Sequence, residues 1–238
     1  MISLRHCLPA LVAVVATFSA TSPAYAALDL LYINRCVGGC ALSPGSDDAI
    51  NRKSSLLSQN TTVPAFPHGD AAFRATVDCV RSVFAQYDVT VVSSDPGAVT
   101  RREVILAGDS QSVIGIGGAW GVAPFFSGVP RDNAIAFAFA ANIGNNVDAL
   151  CWTTAKGFGA LYGLDNELHC PDLMSDTQGC GVKAFTNFDA PCGESATPRT
   201  CNIPGSPATQ NTFLRLHQVP GQADVIFRGL FEVAGPSP

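Results

Sequence analysis

Asp165, Glu167 and His169 stand at every second position of one stretch, and two carboxylates with an imidazole are donors that zinc accepts. They are candidates for an unusual metal site, set against the default that three such residues in an exposed loop are simply solvated. Once the N-terminal segment is discounted, the histidines are His68, His169 and His217. No two of them stand at i and i+4, the spacing that holds a metal from one helical face. No G-x-S-x-G run marks a serine nucleophile. Asp47-Asp48 falls in a turn, where a solvated surface is expected. Gly115-Ile116-Gly117-Gly118 has the glycines of a dinucleotide loop but no G-x-G-x-x-G frame opening onto a periodic helix, so it reads as a loop crossing under Trp120.

Cysteine is the other reactive residue type. Beyond Cys7 the chain carries Cys36, Cys40, Cys79, Cys151, Cys170, Cys180, Cys192 and Cys201, an even set that reads as four disulfides in an exported protein. Such a set allows on the order of 100 pairings. Local closure favours Cys36–Cys40, Cys170–Cys180 and Cys192–Cys201, with Cys79–Cys151 as the long-range staple. A tetrathiolate zinc site is the rival. No spacing is C-x2-C, and an oxidising compartment disfavours free thiolates.

Export is read from the first 26 residues. Arg5 and His6 precede an apolar run from Leu8 to Phe18, and Ala24-Tyr25-Ala26 is an A-x-A cleavage site. The run is shorter than the roughly 20 residues of a membrane-spanning helix. Residues 1–26 are therefore expected to be a signal peptide and residues 27–238 a single domain, secreted or periplasmic, with no membrane association after cleavage. The formal net charge of −5 becomes −6 without Arg5, and no Lys/Arg run exists, so nucleic acid is not an expected partner. Only 14% of residues are charged, so the chain has enough apolar sequence for a large core.

The elements that must position these groups follow from periodicity. Leu28 to Asn34 reads as a buried strand, Cys36 to Asp48 as turn chemistry, and Asn51 to His68 as a surface loop holding the Asn60-Thr61-Thr62 sequon. Phe73, Val77, Val80 and Phe84 share one helical face after Asp70, the expected N-cap. Val89 to Val92 and Glu103 to Ala107 read as strands, separated by the turn signal Asp95-Pro96-Gly97. Gly108 to Gly128 is irregular. Ala134 to Ala140 is a strand with Ile135, Phe137 and Phe139 on one face and alanines on the other. Asp148 to Tyr162 is a helix weakened by Gly157 and Gly159, glycines that in a buried helix point to close packing. Beyond Gly163 loops are expected, apart from a strand at Val225 to Phe227. The fold class is α+β.

Leu150 to Ser175 (LCWTTAKGFGALYGLDNELHCPDLMS) resembles the active-site helix and following turn of metzincin-type zinc metallopeptidases, closest to secreted bacterial members with cysteine-rich C-terminal parts. In H-E-x-x-H-x-x-G-x-x-H three histidines bind zinc, the glutamate polarises the metal-bound water, and a later methionine lies beneath the metal. Matching Gly163-Leu164-Asp165 to the family's G-L-D places the first histidine at Lys156 and the glutamate at Gly157. The second and third histidines fall at Ala160 and Asn166. Met174, in Pro171-Asp172-Leu173-Met174-Ser175, matches the methionine turn. Cys36-Val37-Gly38-Gly39-Cys40, the helix from Asp70 to Tyr87 and Cys192-Gly193-Glu194 look like the group's flanking pattern.

The resemblance implies a twisted sheet with an active-site-type helix and a disulfide-rich, loop-rich C-terminal part. It also implies a degenerate site, since Ala and Gly have no donor atoms, a lysine ammonium repels zinc, and Asn offers a neutral amide oxygen. No catalytic residue and no cofactor are then expected, and peptide or protein is the expected partner. Two readings stay open beside this one. One is an active secreted hydrolase with zinc at an atypical site built from Asp165, Glu167 and His169. The other is a structural or envelope-associated secreted protein whose Gly-Leu-Asp turn is only a helix C-cap.

Overall fold

The computed structural model describes residues 29–125, 127–205 and 207–220. The expected signal peptide and the expected strand at Val225 to Phe227 lie outside these residues. The first half of the described chain contains β1 (Asp29–Asn34), β2 (Cys40–Pro44), β3 (Lys53–Ser54), β4 (Thr61–Val63), α1 (Gly69–Phe84), β5 (Val89–Val92) and β6 (Arg102–Leu106). Next come α2 (Ser110–Ile114), β7 (Gly121–Val122), β8 (Ile135–Ala138), α3 (Ala140–Ile143) and α4 (Val147–Leu161). The C-terminal part holds β9 (Ala190–Glu194), β10 (Thr197–Arg199), β11 (Thr209–Gln210) and α5 (Thr212–Gln218). The architecture is α+β.

The main sheet has the order β5-β1-β6-β8-β7. The first four strands run parallel, and β7 closes one edge antiparallel to β8. Because side chains alternate across a strand, β8 and the residues flanking it send two different surfaces to the two sides, although the strand expected to reach Ala140 ends at Ala138 and Ala140 opens α3. Ala134, Ala136, Ala138 and Ala140 join the core beneath α1 and α4, while Ile135, Phe137 and Phe139 join the core on the other face. The small residues are on the helical side for a reason. A Cβ at Gly157 of α4 would lie 3.2 Å from Val104 and 3.5 Å from Ala136, so the helix axis already sits as close to the sheet as side chains permit.

Helix α1 buries Phe73, Thr76, Val77, Val80 and Phe84, the face that its periodicity predicts. Each large apolar side chain removed from water there contributes roughly 1.5–3 kcal/mol. Its start differs from expectation. His68 is the N-cap, and Asp70 lies in the first turn, where its Oδ1 accepts from Arg35 Nη1 at 2.5 Å. An exposed ion pair beside the positive end of a helix still favours the first turn, so the carboxylate acts by charge and not by capping.

Several stretches expected to be irregular carry structure. The Cys36 to Asp48 segment contains β2, which pairs with β3 and β4, and the expected surface loop buries Leu57 and Val63 against the second face of the sheet. Gly108 to Gly128 contains α2, capped by Asp109 accepting from Ser112 N at 2.9 Å, and also the edge strand β7. Beyond Gly163, β9 pairs with β10 and β11, and α5 buries Leu216 in the main core. These strands are too short to show a period. The β9–β10 hairpin turns on Ser195 and Ala196, which carry no Asn-Gly or Asp-Gly signal, and the other pairings join separated segments, so propensity alone does not reveal them.

The cysteines pair as Cys36–Cys40, Cys79–Cys151, Cys170–Cys180 and Cys192–Cys201. Cys79–Cys151 joins α1 to α4 across 72 residues, whereas Cys36–Cys40 closes a loop of sequence separation 4. The entropy removed from the unfolded chain grows with loop length. Replacing Cys79 and Cys151 by alanine is expected to cost about 4 kcal/mol in urea unfolding, against about 2 kcal/mol for the Cys36/Cys40 pair. Equal losses would show that the long closure does not dominate. Among the described residues no helix is long and apolar enough to cross a membrane.

Candidate functional site

Helix α4 presents a second face to a cleft. Trp152, Thr153, Lys156 and Ala160, separated by about one turn, line it. Facing them is the edge of the main sheet. Trp120 and Phe125 flank β7, and a Cβ on Gly121 would lie 2.9 Å from the Thr153 methyl group, so strand and helix meet without room for a side chain between them. The cleft encloses about 570 Å³, within the roughly 300–1,000 Å³ usual for a ligand site.

Helix α4 stops at Gly163. Gly163 N donates to Ala160 O at 2.9 Å and Leu164 N to Gly159 O at 3.0 Å, the paired bonds of a Schellman turn. Gly163 has φ +79°, and a Cβ there would collide with the backbone of Gly128. Glycine is therefore required twice over, by the left-handed turn and by the close approach. The turn sends Leu164, Asp165 and Asn166 back along the cleft. Met174 also lines the cleft, and its Sδ lies 2.7 Å from where a Cβ on Gly159 would stand. Gly159 is thus the hollow that receives the methionine. The structure brings Lys156, Gly157, Ala160, Asn166 and Met174 to one cleft.

Asp165, Glu167 and His169 do not converge, and the first two are not exposed. Asp165 is buried, and Arg199 grips both its oxygens, at 2.7 Å to Oδ1 and 2.5 Å to Oδ2. Burial pushes its pKa up, but Arg199 and the Asn202 and Asn166 amides outweigh that and hold it below the usual carboxylate range. Both oxygens of this carboxylate are already engaged by protein donors. Glu167, 1% exposed, accepts from Gln210 through Oε2 at 3.3 Å, while its Oε1 meets no donor. Burial first, then the nearby Asp172 carboxylate, push its pKa up to about 9, so it is protonated at neutral pH. His169 stacks on Phe188 with ring centroids 4.5 Å apart. Among the described residues no group of three or more His, Cys, Asp or Glu side chains is placed to hold a metal ion.

The motif-derived positions do not fit a zinc ion either. Lys156 is ion-paired to Asp176, Ala160 has no donor, and the Asn166 amide donates to Glu194 Oε1 at 3.3 Å. A cation, a methyl group and an amide already bonded through its nitrogen are a poor donor set for a metal that prefers imidazole and thiolate.

The turn that carries Met174 is organised by Asp172, which is fully buried. Its Oδ1 accepts from Met174 N at 2.8 Å, and its Oδ2 accepts from Thr212 Oγ1 at 2.6 Å and from Thr186 N and Oγ1 at 2.8 Å each. This carboxylate ties the turn to the start of α5. Sequence reasoning missed Asp176, Lys183 and Arg199, cleft residues that lie in or between cystine loops with no period to mark them. Trp152 could have been assigned to the cleft, because it precedes Lys156 by one helical turn. No protein-family model matches the chain, and a search of curated proteins finds no match.

Proposed function

We propose that the protein is a secreted, disulfide-stabilised metallopeptidase-like domain that binds peptide or protein segments in its cleft without cleaving them. One observation carries this reading. Lys156, Ala160, Asn166 and Met174, the positions that the metzincin-like frame assigns to the metal site, line a single cleft beside a sheet edge. The frame and the cleft therefore coincide, while the side chains supply no donor set for zinc and no glutamate for a water. Among the described residues β7 ends the strand order, which gives an extended peptide an edge to join by main-chain hydrogen bonds. Four disulfides support an oxidising destination, in keeping with the export signal read in residues 1–26.

The test uses the two tryptophans of the chain, Trp120 and Trp152, which both line the cleft. Peptides from a casein digest are expected to shift their fluorescence, while intact denatured casein stays uncleaved and purified protein carries far less than one zinc per chain. Chelator-sensitive cleavage of casein would favour an active hydrolase. Absence of any peptide-induced change would favour a structural role in the envelope.

A further inference from the structure

Two ammonium groups share the part of the cleft where the frame would set its metal. Lys156 projects from α4 and pairs with Asp176, whose side chain is 52% exposed. Lys183 reaches the same cleft from the loop closed by Cys170–Cys180 and its continuation. It is 5% exposed, and its Nζ donates to the carbonyl oxygens of Ser175 at 2.7 Å and Asp172 at 3.4 Å. Burial, and then the charge of Lys156, push the Lys183 pKa down from its ordinary value, as expected of two cations facing one space.

Among the described residues the cleft carries three cations, Lys156, Lys183 and Arg199, and three carboxylates, Asp165, Asp176 and Glu194. The sum is neutral, but the distribution is not. Arg199 is held by both Asp165 and Glu194, at 2.5 Å to each. That leaves Asp176 as the one cleft carboxylate on the side where two lysines stand. Asp172, the other acid near Lys183, lies behind the wall with both oxygens occupied by the methionine turn, Thr186 and Thr212. Asp172 thus offsets Lys183 from behind the wall, and within the cleft Lys156 is answered by the half-exposed Asp176 alone. Next to it the cleft is bounded by Trp120, Trp152 and Phe125.

We propose that the cleft selects peptides that present a free carboxylate. The carboxylate docks on Lys156 and Lys183 and displaces Asp176, and the adjoining apolar side chain packs against the tryptophans. This rests on the peptide-binding reading above and names the chemistry the site selects. Asp176 is then an internal stand-in for the ligand. Its half-exposed side chain can swing to solvent at small cost, because exposed ion pairs contribute little. A lysine cation thus meets the ligand where the frame would set a metal cation, and the ligand group that answers it is an anion.

Three acetylated tripeptides test this by tryptophan fluorescence and calorimetry. The first is alanine-alanine-phenylalanine with a free C-terminal carboxylate, the second is its C-terminal amide, and the third is an amide with glutamate in the middle. The free acid is expected to bind about tenfold more tightly than its amide, the size of one charge-assisted contact. Lys156→Gln should abolish that difference, while Asp176→Asn should tighten the acid a few-fold. The two variants act in opposite directions, so misfolding cannot produce both results. Binding of the glutamate peptide like the acid shows that a side-chain carboxylate serves as well as a chain terminus; binding like the plain amide restricts the site to a chain terminus. Either outcome supports the proposal. Equal affinity for acid and amide, or weaker acid binding in Asp176→Asn, overturns it while leaving peptide binding intact. Failure of all three tripeptides and of the casein peptides sinks both readings.

Discussion

Zinc binding is expected to appear when Lys156→His, Ala160→His and Asn166→His are combined, with about one metal ion per chain by equilibrium dialysis and metal analysis. Lys156 and Ala160 stand one turn apart on the cleft face of α4, and the Schellman turn at Gly163 returns the chain so that Asn166 lines the same cleft. Met174 lies against Gly159 and also lines the cleft. On the metallopeptidase-like reading, the donor atoms are what the cleft lacks. None of the three exchanges disturbs a buried partner. Lys156 leaves a half-exposed Asp176, and Asn166 gives up one bond to the exposed Glu194. Any single substitution should leave zinc unbound, because one imidazole holds the metal weakly. Hydrolysis should not follow. The general-base position is Gly157, where a Cβ would already lie 3.2 Å from a Val104 methyl group, so a glutamate there fits only if that side chain gives way. A triple variant that folds and stays free of zinc would mean that the three positions do not converge as the frame requires, and the metallopeptidase-like reading would fall with it.

Glu167 sets the second large effect. Its pKa is pushed up to about 9 by burial and by Asp172, from an ordinary 4.5. A folded-state pKa above the unfolded one means that the native chain holds the proton more tightly. The associated stability is complete below about pH 4.5 and is lost as pH rises toward 9. Between those limits the slope for one proton is about 1.4 kcal/mol per pH unit, so the protein is expected to lose roughly 3 kcal/mol between pH 5 and pH 7 from this group. Glu167→Gln keeps the shape of the protonated form. Its amide can bond to Asp172 without a titratable proton. The variant should therefore have a flatter stability profile, and at pH 8 a melting temperature higher by about 10 °C. Parallel profiles for the two proteins from pH 5 to pH 8 would show that Glu167 is ionised in the folded state.

The Glu167 case also shows where reading along the chain stops. Asp165, Glu167 and His169 look alike as a polar triplet, yet each enters a different environment. Arg199 from β10 takes the first, Gln210 from β11 and Asp172 enclose the second, and Phe188 stacks on the third. Those partners come from across the C-terminal part, and no spacing rule announces them. The charge pattern of the cleft has the same origin. The resemblance singles out Lys156 from the sequence, but the meeting of Lys183, Asp176 and Arg199 at the cleft walls depends on cystine loops folding over α4.

What the amino-acid order determined by itself was whatever depends on neighbours within a turn or two of chain. The apolar spacing of α1, the Ile/Phe-against-Ala alternation of β8 and the glycine that ends α4 are local demands, met by residues that the sequence sets side by side. The four cystines also follow from local closure, since three join near neighbours and leave one pair for the long bridge. Only the tertiary structure decided the rest. The two-residue strand β7 exists because β8 offers it a partner, Glu167 holds its proton because distant segments exclude water from it, and Asp176 faces Lys156 because the methionine turn is anchored to α5 through Asp172. Short strands, buried ionisable groups and charge pairs take their energies from atoms far away in sequence, and those energies arise only when the chain has closed on itself.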